Sequence, residues 1–192
     1  MSVFNIYLIG VGGQGIGLLS EIILRAADHA GHPVRAVDTH GLAQRGGSVV
    51  SQIRLGAAAH SPLIRAGEAH LVVALERHEA LRAVARMARP GGTLVYYDTV
   101  WQPLPVRLGR DQEVSAAAIA EACRRRRVSP LRVRVDDLPE ARMQNMAVLA
   151  CLHRRGLIPG LSEAHYMTAM ADLMAGDMLA RNRRIFQTAT TG

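Results

Sequence analysis

Along the chain the spacing of apolar residues switches repeatedly between that of a strand and that of a helix. Asn5-Ile6-Tyr7-Leu8-Ile9 is a short apolar, partly β-branched run bounded by glycine, which predicts a buried strand. From Ile16 to Ala30 the apolar residues Leu18, Leu19, Ile22, Ile23 and Ala26 recur at helical spacing, and Gly31 with Pro33 ends the segment. Val34 to Val37 predicts a second strand, closing at Asp38. A strand, a helix and a strand in this order form a βαβ unit, with parallel strands and a right-handed crossover.

The same grammar continues. In Ser48 to Leu55 the residues Val49, Ile53 and Leu55 share one face, with Gln52 and Arg54 on the other, which predicts a half-exposed strand at a sheet edge. Leu71 to Leu75 predicts a buried strand, followed by a helix carrying Leu81, Val84, Ala85 and Ala88 and stopped by Pro90-Gly91-Gly92. Thr93 to Tyr97 predicts the next strand, ending at Asp98, and weaker strands are expected around Val106 and Val133, flanking an alanine-rich helix that begins at Ser115. After Pro139 only helical spacing remains, over Gln144–Arg155, Ser162–Met174 and Asp177–Arg184. The expected fold is α/β: a doubly wound, Rossmann-like, mostly parallel sheet with a helical C-terminal cap. One domain over residues 1–192 is expected, divided into a Rossmann-like core at 1–138 and the cap at 139–192.

Composition narrows the chemistry. All 23 basic residues are arginine, and without lysine there is neither a Schiff base nor a P-loop amine. Only Cys123 and Cys151 are present, too few for a four-cysteine iron–sulfur cluster, and both read as small buried residues. The net charge of +7 suggests an acidic partner, but aromatics at 4% leave no stacking platform for single-stranded nucleic acid. Arg124-Arg125-Arg126-Arg127 reads as a solvated or docking helix end, where cations face the negative end of the dipole. Six of the eight methionines fall in the last fifty residues, as adaptable core or partner-facing packing. No leader and no membrane-spanning run are visible, which predicts a cytoplasmic protein.

Two loops carry the functional reading. Gly10-Val11-Gly12-Gly13-Gln14-Gly15 fits G-x-G-x-x-G between a strand and a helix N-terminus. In that motif Gly10 permits the tight turn, Gly12 the approach of a ligand phosphate and Gly15 close helix–strand packing, and the free N–H groups form an anion site. The same turn with nothing bound is the alternative. Asp38 stands where a dinucleotide-binding protein places its ribose-binding acid, so a self-sufficient NAD-dependent oxidoreductase is one candidate function; a basic module using Arg124 to Arg127 on nucleic acid is another. The second loop, His40-Gly41-Leu42-Ala43-Gln44-Arg45-Gly46-Gly47-Ser48, is expected at the same end of the sheet.

Together these two loops resemble the gamma subunit or domain of the thiamine-dependent 2-oxoacid:ferredoxin oxidoreductases. The resemblance continues through Val49–Gly56, Ser61-Pro62-Leu63-Ile64 and Gly67-Glu68-Ala69, then more loosely to the final helices. The His-Gly-Leu-Ala-Gln-Arg-Gly-Gly-Ser-Val version is similar to the small (beta) subunit of the indolepyruvate branch. The pyruvate and 2-oxoglutarate branches usually carry Ser-Phe/Tyr-Gly-Pro-Glu there. What the resemblance implies is decarboxylation of an aryl-pyruvate on thiamine diphosphate, electron transfer to ferredoxin through [4Fe-4S] clusters, and capture of the acyl group by coenzyme A.

This chain lacks the Gly-Asp-Gly…Asn signature of thiamine sites, because Gly176-Asp177 continues with Met178. Thiamine diphosphate, its magnesium and the clusters are therefore expected on a large partner subunit, and the isolated chain is expected to be inactive. Its implied role is to complete the coenzyme A and 2-oxoacid site at the subunit interface. Gly12, Gly13, Gln14 and Gly15 would offer N–H groups; Gln44, Arg45 and Ser48, in the Gly46-Gly47 loop, would face the coenzyme or the partner. Arg45 is the anion-gripping candidate, since a guanidinium holds phosphate or carboxylate with two hydrogen bonds. His40 reads as a loop-fixing hydrogen bonder or a general base. Asp98, Thr99 and Trp101 are candidates to line the same crevice.

Overall fold

A computed structural model describes residues 3–40, 47–101, 106, 108–109 and 112–189. Six strands form one sheet: β1 (Phe4–Val11), β2 (Val34–His40), β3 (Ser48–Leu55), β4 (Ala69–Ala74), β5 (Ala88–Tyr97) and β6 (Ser129–Val133). The helices are α1 (Ile16–His29), α2 (Arg77–Arg86), α3 (Ala116–Arg126), α4 (Gln144–Arg154), α5 (Glu163–Leu173) and α6 (Gly176–Thr188). The strand order is β2-β3-β1-β4-β5-β6, parallel from β1 through β6.

β3 departs from the sequence expectation. It is antiparallel to both β1 and β2 and lies between them, so the edge is β2 and not β3. β1 and β2 still run in the same direction, as the crossover through α1 requires, but they do not touch. Alternation along β3 is real: Ser51, Ile53 and Leu55 are buried, and the residues between them are half-exposed. A strand in the interior of an antiparallel pairing can still wet one face, so its pattern mimics an edge. Val106, expected in a strand, is helical.

Each strand of the parallel half sends alternate residues to two cores. Ile6, Leu8, Leu71, Val73 and Val95 meet α1 together with α4, α5 and α6 on one face. Ile9, Val72, Ala74, Leu94 and Tyr96 meet α2 and α3 on the other. Met146 and Met170 are fully buried in the first cluster, whereas Met178 is exposed. Cys123 and Cys151 are both buried, and burial raises the Cys123 thiol to about 11.

α1 ends in a Schellman closure. Gly31, with φ +73°, donates its N–H to Asp28 O at 2.8 Å, and His32 N–H donates to Ala27 O at 2.9 Å. α2 stops at Arg86 and β5 already begins at Ala88, so Pro90-Gly91-Gly92 forms an irregularity inside the strand and not the stop of the helix. Among the described residues, no helix is long and apolar enough to cross a membrane.

Candidate functional site

The carboxyl ends of the parallel strands bring the two loops together. Gly12 N–H donates to Gly47 O at 3.0 Å, directly beside the last β1–β3 pair, Val11 with Ser48. That bond fixes the glycine loop to the foot of the second loop. Of that loop, Gly47 and Ser48 are described, and the backbone of His40 continues β2 opposite Val49. Gly41, Leu42, Ala43, Gln44, Arg45 and Gly46 lie outside the described residues.

Within the glycine loop the labour is divided differently from the motif's expectation. The turn depends on Gly13 and Gly15, whose φ values of +99° and +81° suit glycine. Gly10 stays in β1 and provides the close helix–strand approach, since a Cβ there would lie 2.8 Å from Ile16 Cγ1. Gly15 instead receives α4: a Cβ would lie 2.4 Å from Asn145 Nδ2, the amide that donates to Gly15 O.

Gln14 locks the loop from within. Its side chain is fully buried, accepts from Val11 N–H at 2.8 Å and donates to Leu75 O at 3.0 Å, while its own N–H donates to Val11 O. Buried amides with both ends paired fix a conformation. The N–H groups of Gly12 and Gln14 are thus already bonded. Those of Gly13 and Gly15 meet no acceptor among the described residues, and the first turn of α1 leaves further N–H groups without intrahelical partners. Gly13 and Gly15 border a cavity of about 250 Å³, lined also by Leu18, Glu140, Arg142, Asn145 and Arg181. Arg142 and Arg181 both pair with Glu140, at 2.6 and 3.5 Å.

Ser48 is bound into α2. Its hydroxyl donates to Glu79 at 2.7 Å and accepts from Arg82 at 3.0 Å, and Arg82 grips both oxygens of Glu79. One residue turn earlier, Glu76 caps α2 by accepting the Glu79 N–H. Glu76 is fully buried, and burial pushes its carboxyl above the ordinary range despite that hydrogen bond.

Asp98 does not face open solvent. It lies with its side chain fully buried between Arg77 and Arg132, in ion pairs to both. Burial alone would raise its carboxyl, but the two guanidinium groups together hold it below the usual carboxylate range. Thr99 contributes its carbonyl to the Arg77 N–H at 3.0 Å, and Trp101 is 38% exposed nearby.

Glu76, Arg77, Glu79, Arg82 and Arg132 were not singled out by the sequence. The available signal was the Leu75-Glu76-Arg77-His78-Glu79 turn, where charges follow directly on a buried strand at the ligand-facing end of the sheet.

The position of Asp38 does not support the dinucleotide reading. It lies in the middle third of an edge strand separated from the glycine loop by β3, and its carboxylate accepts from Ser51 Oγ, which shares a 2.5 Å contact with Ser20. A ribose held there would lie a strand too far from the phosphate site. The arginine run is also engaged: Arg124 and Arg125 pair with Glu121, and Arg126 donates to Ala88 O.

Residues 5–191 match the profile of the family described as pyruvate ferredoxin/flavodoxin oxidoreductase. Two relatives, each named indolepyruvate oxidoreductase subunit IorB, come from Methanothermobacter thermautotrophicus and Archaeoglobus fulgidus. The first is 49% identical over 85 residues, covering 44% of this chain and 43% of the relative. The second is 53% identical over 78 residues, covering 41% and 38%. The chain therefore spans about two fifths of the length of each of these relatives.

Among solved structures, the gamma subunit of a keto/oxoacid ferredoxin oxidoreductase from Geobacter sulfurreducens superposes with a TM-score of 0.65 at 16% identity, over 97% of this chain and 95% of that one. A 2-oxoglutarate:ferredoxin oxidoreductase from Magnetococcus marinus, with 2-oxoglutarate, coenzyme A and succinyl-CoA bound, gives 0.66 at 20% identity, over 98% of this chain and 30% of that one. At these identities the superpositions establish the fold.

Proposed function

Because the chain belongs to the pyruvate ferredoxin/flavodoxin oxidoreductase family, we propose that it is the small, gamma-type subunit of a cytoplasmic 2-oxoacid:ferredoxin oxidoreductase acting on indolepyruvate or a related aryl-pyruvate. Two relatives named for indolepyruvate, together with the His40 to Ser48 loop, support that branch.

The observation that carries the reading is the Gly12–Gly47 hydrogen bond. It joins the glycine loop, with the free N–H groups of Gly13 and Gly15, to Gly47 at the foot of the second loop. The adjoining cavity, about 250 Å³, is too small for a whole coenzyme, and the Glu140 carboxylate in its wall is paired with Arg142 and Arg181. Coenzyme A is accordingly held in part here, through its anionic groups, and in part by a large subunit. Two buried cysteines cannot ligate a cluster, so thiamine diphosphate, magnesium and the [4Fe-4S] clusters that pass electrons to ferredoxin belong to that subunit. They supply the decarboxylation and the electron transfer; this chain supplies amide donors and shape. Gln14 and Ser48 position the rim instead of contacting the coenzyme.

Co-expression with the large chain should give a stable complex that oxidises indolepyruvate with coenzyme A and ferredoxin, while the lone chain shows no turnover. In that complex Arg45→Ala should raise the apparent KM for coenzyme A about tenfold, the weight of one charge-assisted contact. Failure to associate would overturn the assignment. An unchanged KM would remove the loop from the coenzyme site.

A further inference from the structure

At the opposite end of the sheet lies the largest of the cavities described, about 590 Å³, within the range that small-molecule sites occupy. Its walls are mainly apolar: Phe4 at the start of β1, Leu55 at the end of β3, and Pro33 and Pro159 from two connecting segments. They are also firmly placed. The Schellman closure of α1 fixes Gly31 and His32, and Gly160 lies so close to His32 that a Cβ would fall 2.4 Å from its Nε2.

Three polar side chains interrupt the apolar lining, His32, His70 and Arg89, and the last two together suit an anion. Arg89 is exposed and has no carboxylate within ion-pair distance among the described residues, unlike Arg77, Arg82 and Arg132 at the other end. His70 stacks at a tilt on Phe4, with ring centroids 5.0 Å apart, and its Nδ1 accepts from Asn5 N–H at 3.1 Å. Accepting at Nδ1 places the ring proton on Nε2, which has no partner among the described residues and is left as a donor. Burial and the nearby Arg89 lower the affinity of His70 for a second proton by more than the Glu68 carboxylate raises it, so the imidazole donates as a neutral group.

We propose that this cavity binds a small apolar carboxylate, an aromatic or branched acid, with its body against Phe4, Leu55 and Pro33 and its carboxylate between Arg89 and His70 Nε2. The site lies at the amino ends of the parallel strands, apart from the glycine loop, and stands independently of the activity proposed above.

Calorimetric titration of the full chain with phenylacetate, 2-phenylethanol and inorganic phosphate separates the contributions of body and charge. Phenylacetate should saturate, 2-phenylethanol should bind about tenfold more weakly for want of one charge-assisted hydrogen bond, and phosphate should not compete. Arg89→Ala should reduce phenylacetate to the level of the alcohol. Ala57→Trp, at an exposed wall position, should abolish both while leaving the thermal unfolding transition in place. Equal affinity for the acid and the alcohol, no saturation, or binding indifferent to Ala57→Trp would each overturn the proposal.

Discussion

The two ends of the sheet handle charge in opposite ways. At the carboxyl end, acids are buried and gripped: Asp98 by Arg77 and Arg132, Glu79 by Arg82 and Ser48. At the amino end, Arg89 borders an apolar cavity with no carboxylate within ion-pair distance among the described residues. A buried ion pair fixes geometry at a desolvation cost, whereas an unpaired guanidinium at a cavity mouth keeps its donors for something that arrives later. Around the first end the charged side chains are thus committed to holding the frame, whereas at the second one guanidinium is left open.

Asp98→Asn should cut most deeply, because it leaves two guanidinium groups around a neutral buried amide. A loss of about 3 kcal/mol at pH 7, read by urea denaturation, is expected. Its wild-type contribution has a definite pH window. The folded carboxyl is held below its ordinary value near 3.8, so the stabilisation is present above that value and disappears as the pH falls through the depressed one.

Glu76→Gln should act with the opposite pH sign and less force. The folded Glu76 carboxyl is raised above its ordinary value near 4.5, so its favourable share is complete below that value and is lost as the pH climbs through the raised one. The variant should therefore match or exceed wild type by up to about 1 kcal/mol at pH 8 and lose the advantage by pH 4, on a stability–pH curve. A variant weaker at both pH values would mean that the carboxylate itself is needed at the α2 cap.

The smallest effect is expected at the other end. Arg89→Ala, lacking an ion-pair partner, should change unfolding free energy by less than about 0.5 kcal/mol in the absence of ligand. A loss comparable to that of Asp98→Asn would erase the contrast between the two ends.

Local chemistry made much of this legible. Apolar spacing located α1 and β3 almost to the residue, and Ser115 marked α3 through its hydroxyl, which accepts from Ala118 N–H. The meeting of the two loops followed from their both leaving strands that run in the same direction. What could not be read was adjacency. Nothing in Val49, Ile53 or Leu55 says which strands lie on either side, because one wet face looks alike at an edge and inside an antiparallel pairing.

The buried carboxylates were hidden for a related reason. Asp98 reads as an acid lining the crevice until Arg77 and Arg132, 21 and 34 residues away, are folded onto it. Gln14 looked like a ligand-facing residue of its loop because its acceptor, Leu75 O, lies 61 residues on. Side chains that close long-range hydrogen bonds carry no periodic signature.

The placement of β3 has a mechanical corollary. Its start is the foot of the functional loop, yet its body is zipped on both sides, to the edge strand and to the strand that launches the glycine turn. A pull on the foot of this loop would therefore act on the keel of the sheet instead of a flap at its margin and, through the Ser48 bonds to Glu79 and Arg82, on α2 as well.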